Sequence, residues 1–141
     1  MTPEERAMAL LYEDYVPESQ PIISDEVLRT VNRIGSYADR LLKNDLGTID
    51  EIVRQQLRGI ALCAGDFYHL WVKKPSLLMI TTEQKKQLFK ILHQPVSDVI
   101  GISTLILANT DNSLTNAQEF NVRTINEMAY SLLKQLQQIF G

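Results

Sequence analysis

An all-α fold is predicted by three observations: helix-start signatures recur along the chain, apolar residues repeat every three or four positions, and no pair of segments alternates as paired strands would. The start signature is Ser/Thr-x-x-Glu/Gln, in which the cap and the third helical residue each satisfy a free amide of the other. It stands at Thr2 with Glu5, Thr48 with Glu51, Thr81 with Gln84 and Thr115 with Gln118.

The elements follow in order. Thr2 opens a short helix to about Tyr12, and Ser24, followed by Asp25 and Glu26, caps the next. Leu28, Val31, Ile34, Ala38 and Leu41 give that helix one apolar stripe, and Asp45-Leu46-Gly47 stops it. Thr48 opens a long helix with the stripe Val53, Leu57, Ile60, Ala64, Phe67 and Trp71, ending at Lys73-Lys74-Pro75. Ser76-Leu77-Leu78-Met79-Ile80 has strand-like composition without a pairing partner, so it reads as an apolar connector.

From Thr81 to Ala108 the spacing is helical, but Pro95 lacks an amide hydrogen and predicts two helices divided near His93-Gln94. The second of these, Val99 to Ala108, is apolar nearly all round, as for a helix at the centre of the fold or one covered by a partner. Asn109 to Asn112 forms a loop, and Thr115 opens an amphipathic last helix carrying Ile125, Met128, Leu132, Leu136 and Ile139.

At 141 residues and 45% hydrophobic, the chain suits one domain, 1–141, that needs no staple. A net charge of -3 and lysines scattered among acids leave no cationic stripe for a phosphate backbone, so nucleic acid is not an expected partner. Cys63 is the only cysteine, which points to a reducing compartment, the cytoplasm. The start lacks a basic and an apolar signal region, and no run reaches the roughly 20 apolar residues of a membrane span. Neither secretion nor a membrane span is expected.

Chemistry-bearing residues concentrate in Cys63-Ala64-Gly65-Asp66-Phe67-Tyr68-His69-Leu70-Trp71. Cys63, Asp66 and His69 follow at intervals of three along one helix, where they offer a thiol, a carboxylate and an imidazole to a shared ligand. Three ligand types on one helix fall short of a metal site, and no base or oxyanion partner marks Cys63 as a nucleophile, so catalysis and metal binding are not expected. Phe67, Tyr68 and Trp71 offer faces for a planar ligand or, more commonly, a core. His93 beside Pro95 reads as a solvated histidine at a helix end.

Three stretches carry a family resemblance. Ile23-Ser24-Asp25-Glu26-Val27-Leu28-Arg29-Thr30-Val31 is similar to a Leu-Ser-x-x-x-Leu-x-x-Ile start. Lys74-Pro75-Ser76-Leu77-Leu78 resembles a connector, and Leu88-Phe89-Lys90-Ile91-Leu92-His93-Gln94-Pro95-Val96 resembles Met-Tyr-Lys-Ser-Leu-Gly-x-Pro-Ile. Together they resemble the phycobiliproteins, the globin-related bilin carriers of cyanobacterial antennae. The resemblance implies a globin-like helical domain and a linear tetrapyrrole (bilin) as cofactor. It also implies a thioether from Cys63 and pyrrole hydrogen bonds from Asp66, because Cys63-Ala64-Gly65-Asp66 keeps the spacing of the family's Cys-x-Arg-Asp motif with Gly65 in place of arginine. Tyr68 and His69 complete the expected bilin site. A haem held by His69 would use the same frame.

A second resemblance covers the last third. Pro95-Val96-Ser97-Asp98-Val99-Ile100-Gly101-Ile102 and Val122-Arg123-Thr124-Ile125-Asn126 are similar to the helical dimerisation and phosphoacceptor domain of sensor histidine kinases. There the phosphoacceptor stands five residues before the proline, where this chain has Lys90. That implies an antiparallel four-helix bundle without phosphotransfer, an adaptor acting as a homodimer or on a helical protein partner. The expected function is therefore a non-catalytic bilin-associated protein, with this signalling adaptor as the alternative.

Overall fold

The computed structural model describes residues 19–109 and 114–141, and side chains from residue 25 onward. The helix expected at Thr2 to Tyr12 and the loop after Asn109 lie outside these residues. The described residues contain four helices: α1 Ser19–Leu42, α2 Glu51–Lys73, α3 Thr82–Ala108 and α4 Asn116–Phe140. No strand occurs among the described residues, and 76–80 forms turns and bends, as its lack of a partner predicts.

Each helix packs against its sequence neighbours, α1 also packs against α4, and the described residues make no close approach across either diagonal. Contacts give the direction of each pair. The α1 end meets the α2 start where Arg54 Nη1 donates to the Leu42 carbonyl at 2.8 Å. Phe89 near the start of α3 lies 6.0 Å from Phe140 at the end of α4, and Asn126 of α4 donates to Ser103 Oγ of α3 at 2.9 Å. Thr30 and Gln135 pair at one end of the α1–α4 seam, Thr48 and Gln118 at the other. The described residues form an all-α, up-and-down antiparallel four-helix bundle.

The core is built largely from the apolar stripes, with Val27 buried in place of Leu28 and Ala129 in place of Met128, while Leu28, Met128 and Ile139 are partly buried at its edge. Val27, Val31, Ile34, Ala38 and Leu41 meet Val53, Leu57, Ile60, Ala64, Phe67 and Trp71 from α2, with Leu92, Val96, Val99 and Ile106 from α3. Val122, Ile125, Ala129, Leu132 and Leu136 complete it from α4. Burying each large side chain contributes about 1.5–3 kcal/mol, which is what holds four helices together where none would persist alone.

Helix starts at α3 and α4 follow the capping-box expectation. Thr81 and Gln84 exchange both hydrogen bonds, as do Thr115 and Gln118. The α2 start does not: the cap is Asp50, whose carboxylate accepts from the Val53 amide at 2.8 Å, two residues past Thr48. A carboxylate at the cap also complements the positive helix end, and the Thr48 carbonyl is engaged by Gln118. Helix α1 likewise begins at Ser19 rather than after Ser24, with Pro21 in its first turn, where a missing amide hydrogen costs nothing.

Two expectations about α3 are corrected. Pro95 does not divide it: the helix runs unbroken from Thr82 to Ala108. An interior proline costs about 3 kcal/mol, but Pro95 is itself buried beside Leu92, Val96 and Val99, and their packing offsets that cost. Nor is the 99–108 segment central. Only Val99, Ser103 and Ile106 of it are buried, while Leu105 is 62% exposed, because each helix in a four-membered ring has one inward face.

Gln118 is fully buried, and its amide does two jobs. Oε1 accepts from the Thr115 amide at 2.8 Å, while Nε2 donates to the Thr48 carbonyl at 3.0 Å, tying the start of α4 to the α1–α2 turn. That turn is shaped by Asn44 (φ 62°) and Gly47 (φ 110°); a Cβ on Gly47 would stand 3.2 Å from Gln118 Nε2. Gln118→Ala removes a fully buried side chain and both of its hydrogen bonds, and should lower the unfolding free energy by about 1–3 kcal/mol. Gln84→Ala removes the same capping bond at an exposed box and should cost about 1 kcal/mol or less. Urea denaturation of the two variants measures the difference, which is the contribution of the cross-link; equal losses would mean that it has none.

Candidate functional site

The sequence-predicted residues Cys63, Asp66, Tyr68 and His69 all lie on α2, but not on one face. Three residues turn a helix by 300°, 60° short of a full turn, so the interval-of-three series drifts outward as it climbs. Cys63 is accordingly half-buried beside the core residue Ala64, while Asp66 and His69 are exposed. Tyr68, next to the core residue Phe67 on its other side, is 39% exposed.

Two open grooves flank α2. One, about 430 Å³, runs between α2 and α3 and is lined by Cys63, Asp66 and His69 against Gln94, Pro95 and Asp98. The other, about 460 Å³, runs between α1 and α2 and takes in Tyr68 and His69 with Asn32, Gly35 and Asp39. His69 borders both, touching Tyr68 edge-on at 5.9 Å between ring centroids. The structure thus brings Cys63, Asp66 and His69 together and sets Tyr68 on the opposite flank.

Phe67 and Trp71 are not available to a ligand. They stack at 5.9 Å with planes 12° apart and are 1% and 2% exposed, so they belong to the core. Lys74 covers the outer end of this pair, its Nζ 4.4 Å from the Trp71 ring centre, and burial pulls its ammonium pKa down. His93 is neither at a helix end nor in the groove. It lies half-buried within α3, 5.5 Å from the Phe89 ring and 3.3 Å from Ser97 Oγ.

Asp98 and Gln94 were not foreseen as site residues. They form the far wall of the α2–α3 groove, held together by a Gln94 Nε2 to Asp98 Oδ1 hydrogen bond of 2.9 Å. Their i, i+4 spacing and their position on either side of Pro95 are visible in the sequence, and the unbroken α3 places them opposite Cys63.

The electrostatics of this groove are acidic. The Cys63 thiol is pushed up from its ordinary pKa, first by burial and then by the nearby charges of Asp98 and Asp66. Burial and the two carboxylates thus favour the neutral thiol, the form less able to attack an electrophile. Among the described residues no three of His, Cys, Asp and Glu stand close enough to share a metal ion. No family model, curated protein or solved structure matches the chain.

Alkylation of Cys63 by iodoacetamide should follow a pH profile displaced upward from that of a free cysteine. Asp98→Asn removes one of the charges that oppose the thiolate, so the rate at pH 8 should rise about two- to threefold and the midpoint should fall. A profile coincident with that of free cysteine, unchanged by the substitution, would show that neither burial nor Asp98 acts on the thiol.

Proposed function

We propose that this chain is a non-catalytic helical interaction module that self-associates through the outer face of α3. One observation carries the reading: α3 has more apolar surface than the bundle uses. It is long and apolar enough to span a bilayer, yet only 33% of its most apolar stretch is buried, and Leu105 stands 62% exposed. Beside it on α2, Ile52 and Leu62 are 66% and 68% exposed around the contact between Gly59 and Ile102. Gly101, where an added Cβ would meet nothing within 4 Å, lets a second helix approach closely.

A two-fold pairing of α3 helices buries these apolar groups on both copies at once, whereas a monomer leaves them in water. Of the two architectures that the sequence suggests, sequential antiparallel pairing supports the bundle of the adaptor reading over the crossed helices of a globin-like domain. Cytoplasmic residence fits the same reading.

Sedimentation of the purified chain across micromolar concentrations tests it. The expected result is a reversible dimer, with Leu105→Asp weakening association about tenfold or more at unchanged helicity and melting temperature. A chain that stays monomeric at every concentration, or a dimer indifferent to Leu105→Asp, would overturn it.

The bilin reading is retained for one observation, the shared groove of Cys63, Asp66 and His69. Its volume lies within the range of ligand sites, about 300–1,000 Å³. It is the weaker reading, because the thiol is held protonated and the fourth expected residue, Tyr68, faces elsewhere. Co-production with a bilin-synthesis system, followed by an absorption spectrum and zinc fluorescence on a denaturing gel, decides it. A visible band that stays with the chain and disappears in Cys63→Ala supports attachment; a colourless chain removes the pigment.

A further inference from the structure

On the opposite side of α3 from the acidic α2–α3 groove, the α3 start and the α4 end form a groove of about 370 Å³ with different chemistry. Its floor is Phe89 and Phe140, tilted by 54° with ring centres 6.0 Å apart, and its rim carries Lys86 and Lys90. Gln137 and Gly141 bound it on the α4 side. Both rings are half-buried, packed against the core on one side and open to the groove on the other. The core does not need them at this end, where Leu92 and Leu136, one turn further in along each helix, are fully buried.

The lysines are a second, independent observation. Lys86 and Lys90 are exposed and stand four residues apart, about 6 Å along the α3 axis. Neither has a carboxylate within ion-pair distance among the described residues. Elsewhere in the bundle, charged neighbours at this spacing are of opposite sign, as in Asp39 with Lys43 and Glu119 with Arg123. Two ammonium groups one turn apart repel, which works against the helix that carries them. An anion held between them replaces that repulsion with two attractions, and the rings offer an apolar surface to whatever the anion is attached to.

We propose that this groove binds a small amphipathic carboxylate, an acid whose aryl or alkyl body lies on Phe89 and Phe140 while its carboxylate bridges Lys86 and Lys90. Charge selects the head group, since the two oxygens of a carboxylate can each accept from one ammonium. The floor selects the body, because the faces and edges of two tilted rings suit an aryl or alkyl group and offer nothing to a polar one. Size selects a small molecule over a docked protein, for the volume lies near the lower end of the range of ligand sites, about 300–1,000 Å³. Sign separates this groove from its neighbour, where Asp66 and Asp98 repel the same acid. The proposal does not rest on self-association, which uses a different face of α3.

Titration of the full chain with phenylbutyrate, read from the amide chemical shifts of isotope-labelled protein, tests it. Phenylbutylamine carries the same body with the opposite charge, and acetate carries the head group alone. The expected result is saturable shifts at the amides of 86–90 and 137–141, with phenylbutyrate binding about tenfold or more tightly than either comparator. Lys86→Glu/Lys90→Glu should weaken phenylbutyrate about tenfold and reverse the preference in favour of phenylbutylamine. Phe140→Ala should weaken both ligands and leave the preference for the acid intact. The rim lysines are solvent-exposed, so far-UV circular dichroism should be unchanged by the charge reversal. Shifts that do not saturate or that centre on another groove, equal binding of acid and amine, or a preference that ignores the charge reversal would overturn the proposal.

Discussion

The seam between α1 and α4 is the contact on which the rest of the bundle depends. The other three helix pairs are neighbours in sequence and need only a short turn between them, whereas this pair joins the two ends of the described chain. Its closure brings the last stripe, Val122 to Leu136, against the first, Val27 to Leu41, and only then are all four stripes dry. Each end of the seam has a polar fastening, Gln135 to Thr30 and Gln118 to Thr48, and the two differ in kind. The Gln135 bond is long, at 3.3 Å, and one of its amide atoms stays buried without a partner. Gln118 uses both amide atoms and is fully enclosed, so it sets the register with which α4 docks.

That dual use explains what was legible in the sequence. The pairing of Thr115 with Gln118 announces a helix start because both partners are local. The second role of the same glutamine depends on a residue 70 positions away and leaves no local mark. Thr48 shows the reverse side: its spacing to Glu51 is that of a cap, but the helix starts two residues later and the Asp50 carboxylate receives the Val53 amide. Stripes were readable for the same reason as boxes, since the positions that face inward recur at the helical period whatever they face. Pro95 and the 99–108 segment were misread because both depend on the number of neighbours. A proline is tolerated where its ring is buried by other helices, and an apolar run is central only if helices surround it.

The candidate site repeats this division between local and distant information. The clustering of Cys63, Asp66 and His69 on α2 is a local property, and the structure keeps the three along one groove. The far wall from α3 is not local, and it changes the chemistry: Asp98 adds a second carboxylate facing a half-buried thiol, which favours the proton over the thiolate. A site read from α2 alone offers a thiol, a carboxylate and an imidazole to a shared ligand. With α3 in place it is an acidic groove around a quiet one.

Helix α3 is the element whose surface is divided most sharply. On its α2 side it presents Asp98 and Gln94, and a turn or two further on, the exposed Leu105. On its α4 side it presents Lys86, Phe89 and Lys90. A helix whose only role is to fill a bundle needs one apolar stripe and a solvated remainder. Here the remainder is sorted by sign and by polarity along two separate flanks, and the sorting serves nothing inside the bundle, where Leu92, Val96, Val99 and Ile106 already meet the core's requirement. Surfaces sorted in this way discriminate between occupants, because an acidic segment is repelled on one flank and attracted on the other. The division of labour on α3, core inward and two unlike faces outward, is the physical basis for the proposal that its outer surface binds.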